Sequence, residues 1–593
     1  MPMLREAVCH KPWGAFAYLL DPQNLSLTLR AKKGDLKSCH LVYGDPWEPK
    51  EPLKKSEMRK IAVSDLFDFF RIVIEIPSYR RFRYMFLLSD GSEQLWYTEA
   101  GFSSRMPEPK DLGIPFFEFL YIRENDVFIT PDWARRAIFY QIFPDSFCNG
   151  DKASDPPGVM KWGRPSLTHE TFYGGDLKGI TDKLPYLSDL GVNAICLTPI
   201  FESPTNHKYD TTDYYEIDPH LGDLPTFKQL VKKCHESGIK IILDGVFDHC
   251  GYLFWAFQDV VKNESKSKYK EWFRIYSFPI KTQPTPSYET WGKNIWRMPR
   301  LRTSNPEVKK YLIDVAIYWL KEADIDGWRL DTATEIDHEF WRDFRKTVKA
   351  IKPEALILGE VPHDASPWLE GDELDSVMNY PFRDLMIDFF AKDNIRAQEF
   401  DARLANLRLQ YRQQVNEILY NLIGSHDTVR FLSLCDNDVE RMRCCLIFQM
   451  TYVGMPVIYY GDEVGMTSGK NWLDNRRSMI WNDTNQNKKF LEFYKKLINI
   501  RKTNSALTRG DFTTLHAHSK TNTYAYLRSH ENERILVALN NSPQIQNIML
   551  QTEQTGFAAH GVLLDILNNE KHEIIDGSLQ LQIKSYSGAI LLG

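Results

Sequence analysis

Cysteine is sparse and irregular in this 593-residue chain: nine residues, Cys9, Cys39, Cys148, Cys196, Cys234, Cys250, Cys435, Cys444 and Cys445, odd in number and set in apolar or helical patterns. That excludes a disulfide framework and predicts reduced, buried thiols, as expected of a cytoplasmic protein. No stretch approaches the roughly 20 apolar residues of a membrane span. The opening Met-Pro-Met-Leu-Arg-Glu-Ala-Val-Cys-His lacks the basic and continuous apolar regions of a signal peptide. Neither sign of charge dominates, since 73 Lys and Arg against 79 Asp and Glu leave a net −6, so no nucleic-acid or membrane partner is expected. There is no short repeat, no low-complexity tract and no motif for an organic cofactor.

What the chain does have is a change of period. Before Thr130, alternating runs such as Leu25 to Arg30, Arg71 to Ile76 and Arg83 to Leu88, punctuated by Lys33-Gly34-Asp35 and Ser89-Asp90-Gly91, predict a β-sandwich over residues 1–125. After Pro131 the pattern becomes apolar strand, turn and amphipathic helix, repeated. Eight candidate strands, Ala137 to Phe143, Asn193 to Thr198, Lys240 to Phe247, Asp326 to Leu330, Leu356 to Gly359, Ser376 to Met378, Tyr420 to Ile423 and Pro456 to Tyr460, predict a closed (β/α)8 barrel. It spans residues 131–249 and 304–506. The aromatic, irregular residues 250–303 form an insertion after the third strand, and loops that long inside a compact domain are usually functional. Strands return in residues 507–593, predicting a C-terminal β-sandwich domain. The fold class is thus multi-domain, a TIM barrel flanked by two β-domains.

Three carboxylates stand at strand ends: Asp331, Glu360 and Asp427. In a barrel this is the catalytic mouth, and paired carboxylates of this kind point to glycoside cleavage, in which one acts as nucleophile and a second as acid and then base. Arg329 lies two residues before Asp331, on the same side of its strand, where a guanidinium would hold a nucleophile ionised and oriented. Glu360 follows a wholly apolar strand, where desolvation favours the protonated form an acid catalyst needs. His426 beside Asp427 offers a donor to a sugar hydroxyl.

The stretches Asp244-Gly245-Val246-Phe247-Asp248-His249, Gly327-Trp328-Arg329-Leu330-Asp331, Gly359-Glu360-Val361 and Ser425-His426-Asp427 resemble the four signature regions of the α-amylase superfamily, glycoside hydrolase family 13. The resemblance covers nearly the whole chain. It implies Asp331 as nucleophile, Glu360 as general acid/base and Asp427 as transition-state stabiliser. It implies Arg329, His249, His426 and Tyr209 as contacts at subsite −1, with Tyr209 stacking on the sugar.

The N-terminal β-domain, Tyr43-Gly44-Asp45-Pro46-Trp47 within it, and Met298-Pro299-Arg300-Leu301-Arg302 resemble the neopullulanase, cyclomaltodextrinase and maltogenic amylase group. That likeness implies a retaining enzyme, able to transfer as well as hydrolyse, acting on α-1,4 bonds of cyclodextrins, short maltooligosaccharides and pullulan. It also implies a homodimer in which Trp47 reaches the neighbour's cleft, with Trp291 and Tyr380 lining the cleft. Asn149, Asp151, Ser154, Asp155, Gly174 and Asp176 resemble the group's Ca2+ site, a set of hard oxygen ligands. Alternative readings are an exo-acting α-glucosidase or oligo-1,6-glucosidase, a sucrose-active enzyme, and a silent sugar-binding relative. Asp248 replaces an Asn of the pattern and puts a negative charge beside His249. Pro362 replaces a Trp on the acceptor side. In Asn471 to Arg476 the Asp expected at subsite −2 is missing while Arg476 remains.

Overall fold

The computed structural model describes residues 3–45, 52–76, 81–107, 116–119, 122, 126–164, 168–469, 472–553 and 555–593. The chain divides into two compact units, residues 1–129 with 395–416 and 512–527, and residues 130–394 with 417–511 and 528–593.

In the first unit two antiparallel sheets form the expected sandwich. One orders Ala17–Asp21, Asn24–Lys32, Phe67–Glu75 and Arg59–Val63; the other orders Lys54–Glu57, Ser38–Gly44, Phe82–Ser89, Gln94–Thr98 and Gly101–Ser103, with Phe117–Phe119 added against Phe82–Ser89. The period-2 pattern decides which side chains meet: Leu25, Leu27, Leu29 and Ala31 of the first sheet share a core with Leu41, Tyr84, Phe86 and Leu88 of the second.

The second unit holds the barrel. Its strands are Phe139–Ile142, Ala194–Leu197, Lys240–Gly245, Gly327–Leu330, Leu356–Gly359, Ser376–Val377, Tyr420–Asn421 and Met455–Tyr459, paired in parallel in the spatial order 6-5-4-3-2-1-8-7. A bridge between Met378 and Tyr420 joins the two ends and closes the ring. These strands are buried on both faces, which is why they read as unbroken apolar runs; Phe139, Ala194, Ile242, Leu358, Met378 and Val457 fill the centre. The helices that follow begin where side chains satisfy their first amides: Asp223 caps Leu224–Glu236, Asn305 caps Pro306–Glu322 and Asp337 caps His338–Ile351. The fifth connection differs. Between Leu356–Gly359 and Ser376–Val377 there is only the short 3-10 turn Ser366–Trp368, because Pro362 and Pro367 break the run that a helix would need. Residues 250–303 hold one α-helix, Trp255–Asn263, and scattered single bridges. After residue 528, six strands pair in one path, Glu533–Asn540, Ser587–Leu592, Gly561–Asp565, Glu570–Ile575, Ser578–Ile583 and Gln546–Gln551.

Charge is handled differently at the two ends of the barrel. At the base, Asp326 accepts from His235 Nε2 (2.7 Å), Lys240 Nζ (2.9 Å) and the Ile241 amide (3.0 Å), with Lys352 Nζ at 3.3 Å. Burial works against its charge, but these partners together hold it down to about 2. Beneath the sixth strand Asp375 has partners of the same kinds, with Arg345 and Lys349 each at 2.7 Å and the Ile357 amide at 2.9 Å.

At the other end, past the eighth strand, Glu463 is wholly buried; its Oε1 accepts from the hydroxyls of Tyr140 (2.9 Å) and Tyr186 (2.7 Å), and Oε2 has no hydrogen-bond partner among the described residues. Burial pushes this carboxyl from 4.5 up to about 7. A raised acid stabilises the fold while it holds its proton, so its contribution is full below pH 4.5 and is lost by about pH 7. Glu463→Gln should therefore flatten the fall of Tm between those limits, removing about 3 kcal/mol of pH-dependent stability; an unchanged Tm–pH curve would refute it.

Candidate active site

Asp331, Glu360 and Asp427 follow the fourth, fifth and seventh strands, and all three line one cavity of about 710 Å³. Arg329, fully buried in the fourth strand, is its electrostatic centre. Arg329 Nη1 donates to both oxygens of Asp244 (2.8 and 2.9 Å) and to Asp331 Oδ1 (2.7 Å). Its Nη2 lies 2.8 Å from Glu360 Oε2, a charge contact without a directed hydrogen bond. One guanidinium therefore faces three carboxyl groups, and a fully ionised cluster would carry a net −2.

Arg329 lies on Asp331 as expected and favours its charged form, but burial acts against it. Burial pushes the Asp331 carboxyl well up, Arg329 opposes this, and Glu360 and Asp244 add to it; Asp244 is raised too, again chiefly by burial. The first physical reason is burial: a carboxylate taken out of water is costly to keep charged, and the guanidinium beside Asp331 also faces Asp244 and Glu360.

Tyr209 and His426 form one wall. Their rings stack with centroids 5.5 Å apart at 11°, and the Tyr209 hydroxyl donates to Asp244 Oδ2 (2.8 Å) and lies 2.6 Å from His426 Nε2. Asp427 sits beside them, 2.9 Å from His426 Nε2 and 2.9 Å from Arg476 Nη2. Enclosure raises the Asp427 carboxyl, but His426 and Arg476 outweigh it and hold it well below the usual range. Arg476 also donates from Nε to the His426 carbonyl (2.9 Å). It thus orients the pair besides lining the cavity.

His249 lines the cavity with Nε2 lacking any hydrogen-bond partner among the described residues, and its ring lies 5.6 Å from that of Trp291, another lining residue. His249 Nδ1 is 3.4 Å from Asp248 Oδ2, while Asp248 Oδ1 accepts from Arg300 Nε (3.0 Å) and Nη2 (2.6 Å). The Asp248 that departs from the family pattern is therefore paired: the added carboxylate is met by the Arg300 guanidinium. Tyr380, half-buried, places its hydroxyl 3.0 Å from Glu360 Oε1. Pro362 lines the cavity. Trp47 lies outside the described residues. Sequence reasoning missed Asp244, although its motif was in view, and also His207, Thr332 and Glu335, which line the cavity.

The residues expected to hold Ca2+ are close together but not equivalent. Asn149 Oδ1 is buried without a hydrogen-bond partner among the described residues, while its Nδ2 donates to Asp155 Oδ1 (2.6 Å). A side chain at Gly174 would meet Asp155 Oδ1 at 2.3 Å and Asn149 Nδ2 at 2.7 Å, so glycine keeps this cradle open. Turning the Asn149 amide over would aim a second oxygen beside Asp155, the donor set a hard cation takes. Asp151 Oδ1 accepts from the Ala153 amide (3.0 Å) and Ser154 Oγ donates to the Asp151 carbonyl (2.8 Å). Asp176 has both oxygens on amides, of Gly150, Asp151 and Gly179, and caps Leu177–Asp182.

Residues 141–488 match the family model of the alpha amylase catalytic domain, residues 3–123 that of the alpha amylase N-terminal ig-like domain, and residues 512–590 that of the maltogenic amylase C-terminal domain. The chain is 52% identical to a cyclomaltodextrinase of Thermoanaerobacter pseudethanolicus, over 92% of this chain and 94% of that one. It is 46% identical to neopullulanase 2 of Thermoactinomyces vulgaris, over 99% of each. A solved cyclomaltodextrinase superposes with a TM-score of 0.94 at 41% identity, covering 99% of this chain and all of that one.

Proposed function

This chain belongs to the α-amylase family of glycosidases, and from that premise we propose that it hydrolyses α-1,4-glucosidic bonds of cyclodextrins and short maltooligosaccharides, with retention of configuration. Asp331 attacks the anomeric carbon, Glu360 protonates the departing oxygen and then activates water, and Asp427 faces the developing positive charge. The observation that carries this is the grip of one guanidinium on Asp331 and Glu360 through its two terminal nitrogens. Carboxyl groups so held are close, as a nucleophile and its acid partner about 5 Å apart must be. The likeness to cyclomaltodextrinases and a neopullulanase supports the substrate class.

Sugar release from β-cyclodextrin, pullulan and soluble starch by the purified protein tests this, with reducing-end analysis of the products. Rapid ring opening with starch nearly inert is expected; comparable starch activity would overturn the substrate class and the homodimer with a capped cleft that we propose with it. Asn149, Asp151, Asp155 and the Gly174 carbonyl would hold a Ca2+ ion of structural, not chemical, effect. Nine free thiols, seven of them buried, support a cytoplasmic setting, and no helix among the described residues is long and apolar enough to cross a membrane.

Pro362 on the cavity wall leaves the acceptor side without a flat ring. Pro362→Trp should shift the ratio of transfer to hydrolysis products by about 2- to 10-fold, the range of one aromatic contact; an unchanged ratio at high maltotriose would discard the idea.

A further inference from the structure

Thr332, the residue after Asp331, has φ +43° and ψ +46°. A β-branched residue in the left-handed region is strained by about 1–3 kcal/mol and persists only where its surroundings impose it. At this turn the Thr332 amide donates to Glu360 Oε2 (3.0 Å), the same oxygen that faces Arg329 Nη2 at 2.8 Å. Among the described residues Glu360 Oε1 meets only a hydroxyl, that of Tyr380, at 3.0 Å.

This asymmetry decides where a proton can sit. An amide or guanidinium N–H only donates, so an oxygen that accepts from one is the wrong place for a carboxylic O–H. Both oxygens of Asp244, Asp331 Oδ1 and Glu360 Oε2 all face such nitrogen donors. Two oxygens remain: Asp331 Oδ2, 3.4 Å from the Thr332 hydroxyl, and Glu360 Oε1. A proton on Asp331 Oδ2 blocks the nucleophile, and one on Glu360 Oε1 arms the acid.

We propose that Glu360 Oε1 is the oxygen that gives up the catalytic proton, and that Tyr380 is a positioning residue for that transfer rather than a sugar platform. This rests on the reading of Glu360 as acid/base. As the glycosidic oxygen leaves, the Glu360 Oε1–H bond breaks and the proton joins that oxygen, while Asp331 Oδ2 bonds to the anomeric carbon. The electron pair left on Oε1 is stabilised by the Tyr380 O–H, which keeps its own proton. In the second half, Oε1 takes a proton from the water that displaces Asp331.

The test is leaving-group dependence, because a departing fluoride needs no proton. Tyr380→Phe should lower kcat/KM on maltotriose by about 10- to 100-fold, the worth of one hydrogen bond to a charged group, and change kcat/KM on α-maltosyl fluoride by less than about 3-fold. Equal losses on both substrates, or no loss on either, would overturn the proposal. Replacing the amide of residue 332 by an ester, which removes only the donor to Oε2, should give the same selective loss and serves if the phenylalanine variant does not fold; equal losses there would also overturn it. A wild-type protein inert on both substrates would instead sink the glycosidase reading for this site.

Discussion

Asp331→Asn is expected to lower kcat/KM on maltooligosaccharides by about 10⁴-fold or more, the scale seen when a covalent nucleophile is removed, while leaving Tm unchanged or raising it. The two halves have one cause. Asp331 is buried within 2.7 Å of Arg329, and burial, with the neighbouring Glu360 and Asp244 charges, works against its ionised form. A neutral amide of nearly the same shape removes one of three competing carboxyls and eases the repulsion, as happens where a site is strained for activity. Kinetics on maltotriose and calorimetry on the same preparation check both halves. Residual activity above about a hundredth of wild type would mean that another group attacks the sugar.

Arg329→Leu should destabilise the protein by about 3–5 kcal/mol, the usual result of deleting one side of a buried ion pair. Its removal leaves Asp244, Asp331 and Glu360 without the cation that lies 2.7 to 2.9 Å from each. Arg329→Lys separates folding from catalysis. A point charge on a flexible stem cannot place two nitrogens on three carboxyls at once, so kcat should fall by about 10²- to 10³-fold with most of the stability kept, a range set by the worth of oriented electrostatic groups. Urea unfolding and single-turnover rates distinguish the two variants. A lysine variant with wild-type kcat would show that orientation by the guanidinium is not needed.

Much of this was legible in the sequence. The eight strands could be read because barrel strands are buried on both faces and so are apolar throughout, and the carboxyls could be read because they stop those runs. The link between Arg329 and Asp331 followed from strand alternation alone. Its electrostatic outcome did not, because alternation reports neighbours along one strand, and Asp244 and Glu360 arrive from the strands on either side. The left-handed Thr332 was also hidden, since nothing in Asp331-Thr332-Ala333 marks a turn that glycine would normally make. Tyr380 was expected to touch sugar; that its hydroxyl meets Glu360 depends on the sixth strand lying beside the fifth. Asp176 was counted with the cation ligands; that its Oδ1 caps a helix is a use of Asp that sequence cannot separate from metal binding.

The acids at the base of the barrel, Asp326 and Asp375, bear on how the protein can be altered. Each is tied to cations and to the second amide of a neighbouring strand, at the face of a barrel that carries stability and not chemistry. A directed-evolution library that randomises the loops around the cavity can leave these positions fixed and still sample the whole substrate-facing surface. Variants lost from such a library will then report on the chosen loops, because the foundation that folds them has not been gambled.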